Sequence, residues 1–136
     1  MLRLFFPRRR LLGNPKLLGK WGEKRVVKYL KGRGYRVLAL NFYCTKGEID
    51  IVAYSPSGEI VFVEVKTRHN EDYMPAIAAV GLEKQKRIAL TAKYFLKSNN
   101  VNKRAVRFDI VVVILGDAGK PELTHYENAF LAPFQL

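Results

Sequence analysis

Alternation of apolar and polar positions is clearest in the run GEIDIVAYSPSGEIVFVEVKTR at residues 47–68. Residues 49–54 and 59–67 each read as a strand, and Ser55-Pro56-Ser57-Gly58 between them carries turn chemistry, which predicts a β-hairpin. Side chains alternate along a strand. Val61, Val63 and Val65 therefore share one face, and Ile60, Phe62, Glu64 and Lys66 share the other. With a three-residue loop Pro56-Ser57-Gly58, and Gly58 in the left-handed position that such loops favour, Ser55 pairs with Glu59 and Asp50 falls opposite Glu64. A two-residue loop would shift the register and undo that pairing.

Helical spacing occurs twice. Over 17–32, Trp21, Val26, Val27 and Leu30 form an apolar stripe that Gly32 or Gly34 can end. Over 76–96, Ile77, Val80, Ile88, Ala92, Phe95 and Leu96 form another, expected as the longest helix, with Gly81 its weak point. Residues 35–40 read as a short strand, and 41–46 lead into the hairpin. The β-branched run VRFDIVVVIL at 106–115 reads as a central strand, in which Asp109 is expected to pair with Arg107 or another cation inside the sheet. A short edge strand is expected at 122–126, with Phe130 as a closing anchor. Residues 69–75 and 98–104 are polar connections, and His69 reads as a loop residue rather than a metal ligand. The order α-β-β-β-α-β-β predicts one α/β domain, a mixed sheet with helices packed on it.

Composition is that of an ordinary globular chain, 136 residues with 49% hydrophobic and 26% charged, but the charge is not: 24 Lys+Arg against 12 Asp+Glu, net +12. Such a field favours nucleic acid or an anionic membrane surface. No apolar span approaches transmembrane length, and the apolar run before Pro7 and its three arginines is too short for a secretory signal. Residues 1–16 are expected as a poorly structured basic arm. It offers Arg8, Arg9 and Arg10 to phosphates, or is a solvated tail with no partner. The lone Cys44 excludes an intramolecular disulfide and a cysteine-based zinc site, and fits a reducing cytoplasm.

Against that basic background the carboxylates stand out. Asp50 opposite Glu64 would destabilise the sheet, and a divalent cation between them would remove the penalty. Mg²⁺ commonly takes one or two carboxylates together with waters and phosphate oxygens. Lys66 shares their face. Glu23 sits three, four and seven residues before Val26, Val27 and Leu30, on or beside an apolar stripe where a carboxylate is costly unless paired. Glu48 is a further acid on the side of Asp50. Gln85, three residues before Ile88 and seven before Ala92, lies near the second helical stripe, and Lys84 flanks it. The competing reading of each is bland: a solvated strand face, a salt bridge for Glu23, and a solvated basic face on the second helix.

An acid in the first helix, then Asp50, then Glu64-Val65-Lys66 resembles the PD-(D/E)xK nuclease superfamily. The surrounding residues resemble its YraN-like, endonuclease-like branch more specifically: Gly22-Glu23, Gly34-Tyr35, Asn41, Gly47-Glu48-Ile49-Asp50, Phe62 to Arg68, Ala79-Val80, Lys84-Gln85, Arg107-Phe108-Asp109 and Asn128-Ala129-Phe130. The resemblance spans residues 19–130 and departs at Asp72-Tyr73-Met74-Pro75, where a glycine is expected before the small residue and proline. It implies a restriction-endonuclease-like core and a metal-dependent endonuclease acting on DNA, branched or single-stranded. In related archaeal Holliday junction resolvases the matching acids bind divalent metal and the matching lysine serves the attacking water. Carried onto this chain, Asp50 and Glu64 would hold Mg²⁺ or Mn²⁺, Lys66 would stabilise developing charge, and Glu23 would reach the metal through water. Lys84, Gln85, Arg68, Arg8, Arg9 and Arg10 would contact substrate. Work on a symmetric junction would call for a homodimer. A nucleic-acid-binding module with this fold and little catalysis is the alternative; no membrane partner is expected.

Overall fold

The apolar runs at 47–68 and 106–115 form the centre of a five-stranded sheet in the computed structural model, which describes residues 7–72, 74–102 and 104–136. In chain order the elements are α1 (Arg8–Leu12), α2 (Pro15–Gly32), β1 (Arg36–Cys44), β2 (Gly47–Tyr54), β3 (Ile60–Arg68), a 3-10 turn (Ala76–Ala79), α3 (Leu82–Ser98), β4 (Val106–Ile114) and β5 (Glu122–Phe130). The sheet order is β1-β2-β3-β4-β5. Only β3 and β4 run parallel, because α3 carries the chain across between them; the other pairs are antiparallel. The mixed α/β architecture matches the expected one.

The hairpin closes as its turn residues dictate. Ser55 N donates to Glu59 O at 2.9 Å, Gly58 N donates to Ser55 O at 3.0 Å, and Gly58 takes φ +87°. The ladder then runs from Tyr54↔Ile60 to Ile51↔Val63. Alternation sends successive side chains to two cores. Val61 and Val63 pack with Val26, Leu30, Ile51, Val111 and Val113 on the α2 side. Ile60 and Phe62 pack with Ile88, Ala92, Phe95, Phe108 and Phe130 on the α3 side. Phe108 stacks between Phe62 and Phe130, with ring centroids at 5.6 and 5.0 Å, so Phe130 is the anchor expected of it.

Several boundaries differ from the sequence expectation. The helix expected over 76–96 is broken. Val80 leaves helical geometry at ψ 74°, Gly81 is extended at ψ 179°, and α3 restarts at Leu82. Gln85 Nε2 donates to Val80 O at 3.0 Å and secures the break. At 17 residues α3 is therefore shorter than α2, which has 18. Helix α2 begins at Pro15 rather than residue 17, because Asn14 caps it by accepting from Leu17 N at 3.1 Å. Strand β1 continues through Cys44 and β5 through Phe130. Each passes an asparagine with positive φ, Asn41 at 50° and Asn128 at 51°, that its polar sequence disguised as a loop.

Within the stretch expected as an arm, residues 8–12 form α1, with Leu11 buried; residues 1–6 lie outside the described residues. The Arg8 guanidinium donates to the carbonyls of Leu115, Gly116 and Gly119, tying α1 to the turn after β4. Asp109 pairs with Arg107 as expected, within a larger buried network. Arg107 also donates to Tyr35 Oη and Glu59, His125 Nε2 lies 2.7 Å from Asp109 Oδ2, and Tyr29 Oη lies 2.9 Å from His125 Nδ1.

Candidate functional site

The site lies where β2 and β3 part. Beyond Ile51↔Val63, Asp50 Oδ2 accepts from Val65 N at 2.8 Å, so a carboxylate takes the place of a backbone acceptor. Alternation breaks at Asp50: Ile49 packs on the α3 side and Ile51 on the α2 side. Glu64, one position before Val65, is only 6% exposed. Its Oε1 has two cations at 3.5 Å, Lys66 Nζ from its own strand and Lys84 Nζ from the first turn of α3. The third acid arrives from α2. Gly22 is what lets that helix settle on β3, because a Cβ there would run into the Thr67 side chain. The next residue, Glu23, lies close enough to Asp50 and Asn41 for both to act on its ionisation. Glu48 is exposed and near enough to act on Glu23 and Asp50 by charge.

Three carboxyls so placed resist ionising together. Burial pushes Asp50 up to about 6, against the opposing Val65 hydrogen bond and reinforced by Glu23. Burial also raises Glu64, with Asp50 adding to the effect and Lys84 and Lys66 offsetting it. Glu23 is raised as well, again chiefly by burial, while its hydrogen bond from Asp50 works the other way. Asp50 and Glu23 lie close enough that ionising one raises the cost of ionising the other. The cluster is a local reservoir of negative charge on a protein of net +12.

These donors suit a hard cation, being carboxylate oxygens with no thiolate or imidazole among them. Among the described residues no group of three or more His, Cys, Asp or Glu side chains is arranged to hold an ion. Asp50 and Glu64 are carboxylates that could hold such an ion together with water and phosphate oxygens, as is ordinary for Mg²⁺.

Of the residues singled out from sequence, Glu23, Asp50, Glu64, Lys66 and Lys84 come together. Gln85 does not join them; its amide is spent on Val80 O. Arg68 is exposed at the end of β3, donates to Thr67 O at 3.0 Å, and lines a cleft of about 320 Å³ with Glu23, Lys66 and His69. Arg8 is engaged by the turn after β4, and Arg9 and Arg10 are exposed on α1. His69 pairs with Asp117 at 2.6 Å. Sequence reasoning did not find Asn41 as the partner of Glu23; a left-handed asparagine inside a strand shows itself only in the backbone. Nor did it find His125, which β5 brings to Asp109 through the pairing of Val111 with His125.

Fold and site together define a mixed α/β protein with a desolvated acidic cluster, flanked by lysines, at the open end of a strand pair. The family model described as "Uncharacterised protein family UPF0102" matches residues 22–113, and the chain belongs to that family. It is 41% identical over 113 residues to the UPF0102 protein of Pelobacter propionicus, covering 82% of this chain and 81% of that one. It is 43% identical over 115 residues to that of Geotalea uraniireducens, covering 85% and 90%. It is 41% identical over 121 residues to that of Dictyoglomus turgidum, covering 86% and 99%. The YraN-like resemblance therefore holds at family level; the relatives' names state no activity. Among the described residues no helix is long and apolar enough to cross a membrane.

Proposed function

We propose that the protein is a divalent-metal-dependent endonuclease acting on DNA. The observation that carries this reading is the convergence of Glu23, Asp50 and Glu64 with Lys66 and Lys84 at one half-buried place, on a chain whose net charge of +12 favours polyanions. Asp50 and Glu64 would hold Mg²⁺ or Mn²⁺. Such an ion, when bound, polarises a phosphate oxygen and lowers the pKa of a water. Lys66 and Lys84 would leave Glu64 for the phosphate oxygens, where positive charge stabilises negative charge as it develops. Glu23 and Asn41 would hold Asp50 and nearby water in place. Exposed lysines and arginines would supply sequence-independent phosphate contacts.

The deciding experiment is a cleavage assay with Mg²⁺ or Mn²⁺ on duplex, single-stranded, flap and four-way DNA. Asp50→Asn and Glu64→Gln are expected to lose metal binding and cleavage together, with calorimetry following the metal. Lys66→Ala is expected to lower the cleavage rate about 10²–10³-fold while leaving DNA affinity nearly unchanged. Parental rates in Lys66→Ala would remove that residue from the chemistry. One observation favours a second reading. Lys66 and Lys84 already neutralise Glu64, as a module that only binds nucleic acid would require. Tight DNA binding with no cleavage of any substrate would select it.

A further inference from the structure

Glu23 lines two cavities. One is the cleft beside Lys66 and Arg68; the other, of about 350 Å³, lies between α2 and β1. That volume is at the small end of the roughly 300–1,000 Å³ range of ligand pockets. The second cavity has aliphatic walls, Val27 from the helix and Leu40 from the strand. Leu40 is a large apolar side chain left 53% exposed beside the most polar part of the molecule. Lys20 and Lys24, one helical turn apart, line it too, and Asn41 completes it. Asn41 holds a left-handed backbone, at φ 50°, and its side chain lies near enough to Glu23 to favour the ionised carboxylate. Strain of that kind persists only where surrounding structure enforces it. The Asn41 side-chain amide offers hydrogen-bond donors and an acceptor to a ligand in the cavity.

Apolar walls, one hydrogen-bonding edge and two flanking cations match a nucleobase with the phosphates on either side of it. A base paired inside a duplex cannot enter such a cleft; it must be unpaired or extruded. We propose that this cavity receives one unpaired nucleobase of the strand whose phosphate lies at Asp50 and Glu64, so that the protein selects single-stranded or locally unpaired nucleic acid over uninterrupted duplex. The identity of that strand rests on the nuclease reading above; the cavity and its selectivity can be tested without cleavage.

The test measures binding by the full chain in EDTA, using the fluorescence of 2-aminopurine placed in a single strand, as a bulge in a duplex, or within a fully paired duplex. The single strand and the bulge are expected to bind roughly tenfold tighter than the paired duplex, with a change in 2-aminopurine signal. Val27→Trp, which fills the cavity, and Leu40→Gln, which makes a half-exposed wall polar at little risk to folding, should each bring the three affinities within about threefold. Affinity for paired duplex should stay as in the parent. Equal affinities in the parent, a preference that both variants keep, or a uniform loss on all three probes at unchanged melting temperature would each overturn the proposal. A parent that cuts with Mn²⁺ yet shows no preference refutes the cavity alone. A parent that shows the preference and never cuts refutes the nuclease reading alone.

Discussion

Asp50 gathers the tension of the site in one side chain. It accepts from the neighbouring strand, lies beside two other carboxyls, and titrates near 6 instead of its ordinary 3.8. A carboxyl whose folded pKa is raised binds its proton more tightly folded than unfolded. The contribution of Asp50 to stability is therefore greatest below pH 4, falls as pH rises towards 6, and stays lower above it. In metal-free buffer Asp50→Asn should then be more stable than the parent at pH 7–8, by at most roughly 3 kcal/mol, and equal to it at pH 4. Urea unfolding at the two pH values checks this, and a variant less stable at pH 8 would show that Asp50 is not strained by ionisation. The same proton competes with a cation, so apparent Mn²⁺ affinity should weaken about tenfold per pH unit below about 6. Calorimetry across pH 5–8 would show the break.

At the scale of elements, the seat of α2 on β3 decides whether Glu23 reaches Asp50. Gly22→Ala would drive a methyl into Thr67, and overpacking of this sort costs roughly 1–3 kcal/mol. The expected result is a lower melting temperature together with lost metal affinity, and Thr67→Ala should restore part of both. Retained metal binding in Gly22→Ala would detach the site from the helix seat. The hairpin was legible in the sequence because alternation and a Pro-Ser-Gly loop favour the register seen from Tyr54↔Ile60 to Ile51↔Val63; beyond it the ladder ends, and Asp50 bonds Val65 N where pairing with Glu64 was expected. The α2 stripe was legible for the same kind of reason. Less legible were the break, which the sequence marked only as a weak point at Gly81, and the continuation of β1 past Asn41 and of β5 past Asn128. Each depends on backbone torsions that tertiary contacts select. Asn128 N, for instance, donates to the buried Asp109 at 2.9 Å, a contact between β5 and β4 that no local pattern announces.

For the molecule as a whole, an ionic network built on the fully buried Asp109 ties α2 to β4 and to the edge strand β5. Burial alone would raise the pKa of Asp109, but hydrogen bonds from His125, Arg107 and Asn128 N outweigh it and hold the group below its ordinary value. A carboxylate with a lowered folded pKa contributes stability above its ordinary range and loses it as pH falls through the folded value. Asp109→Ala would leave Arg107 and His125 buried without their partner, and removal of one member of such a pair costs about 3–5 kcal/mol. Chemical denaturation at neutral pH should show that loss, and the gap between variant and parent should narrow in strong acid. A variant as stable as the parent would mean that the network confers geometry and no stability.

The bond from Val65 N to Asp50 makes one backbone amide a native reporter. Its proton resonance depends on whether a proton, a cation or neither occupies that carboxylate. Isotope-labelled protein would therefore announce the charge state of the cluster by NMR, with no dye, substrate or turnover required.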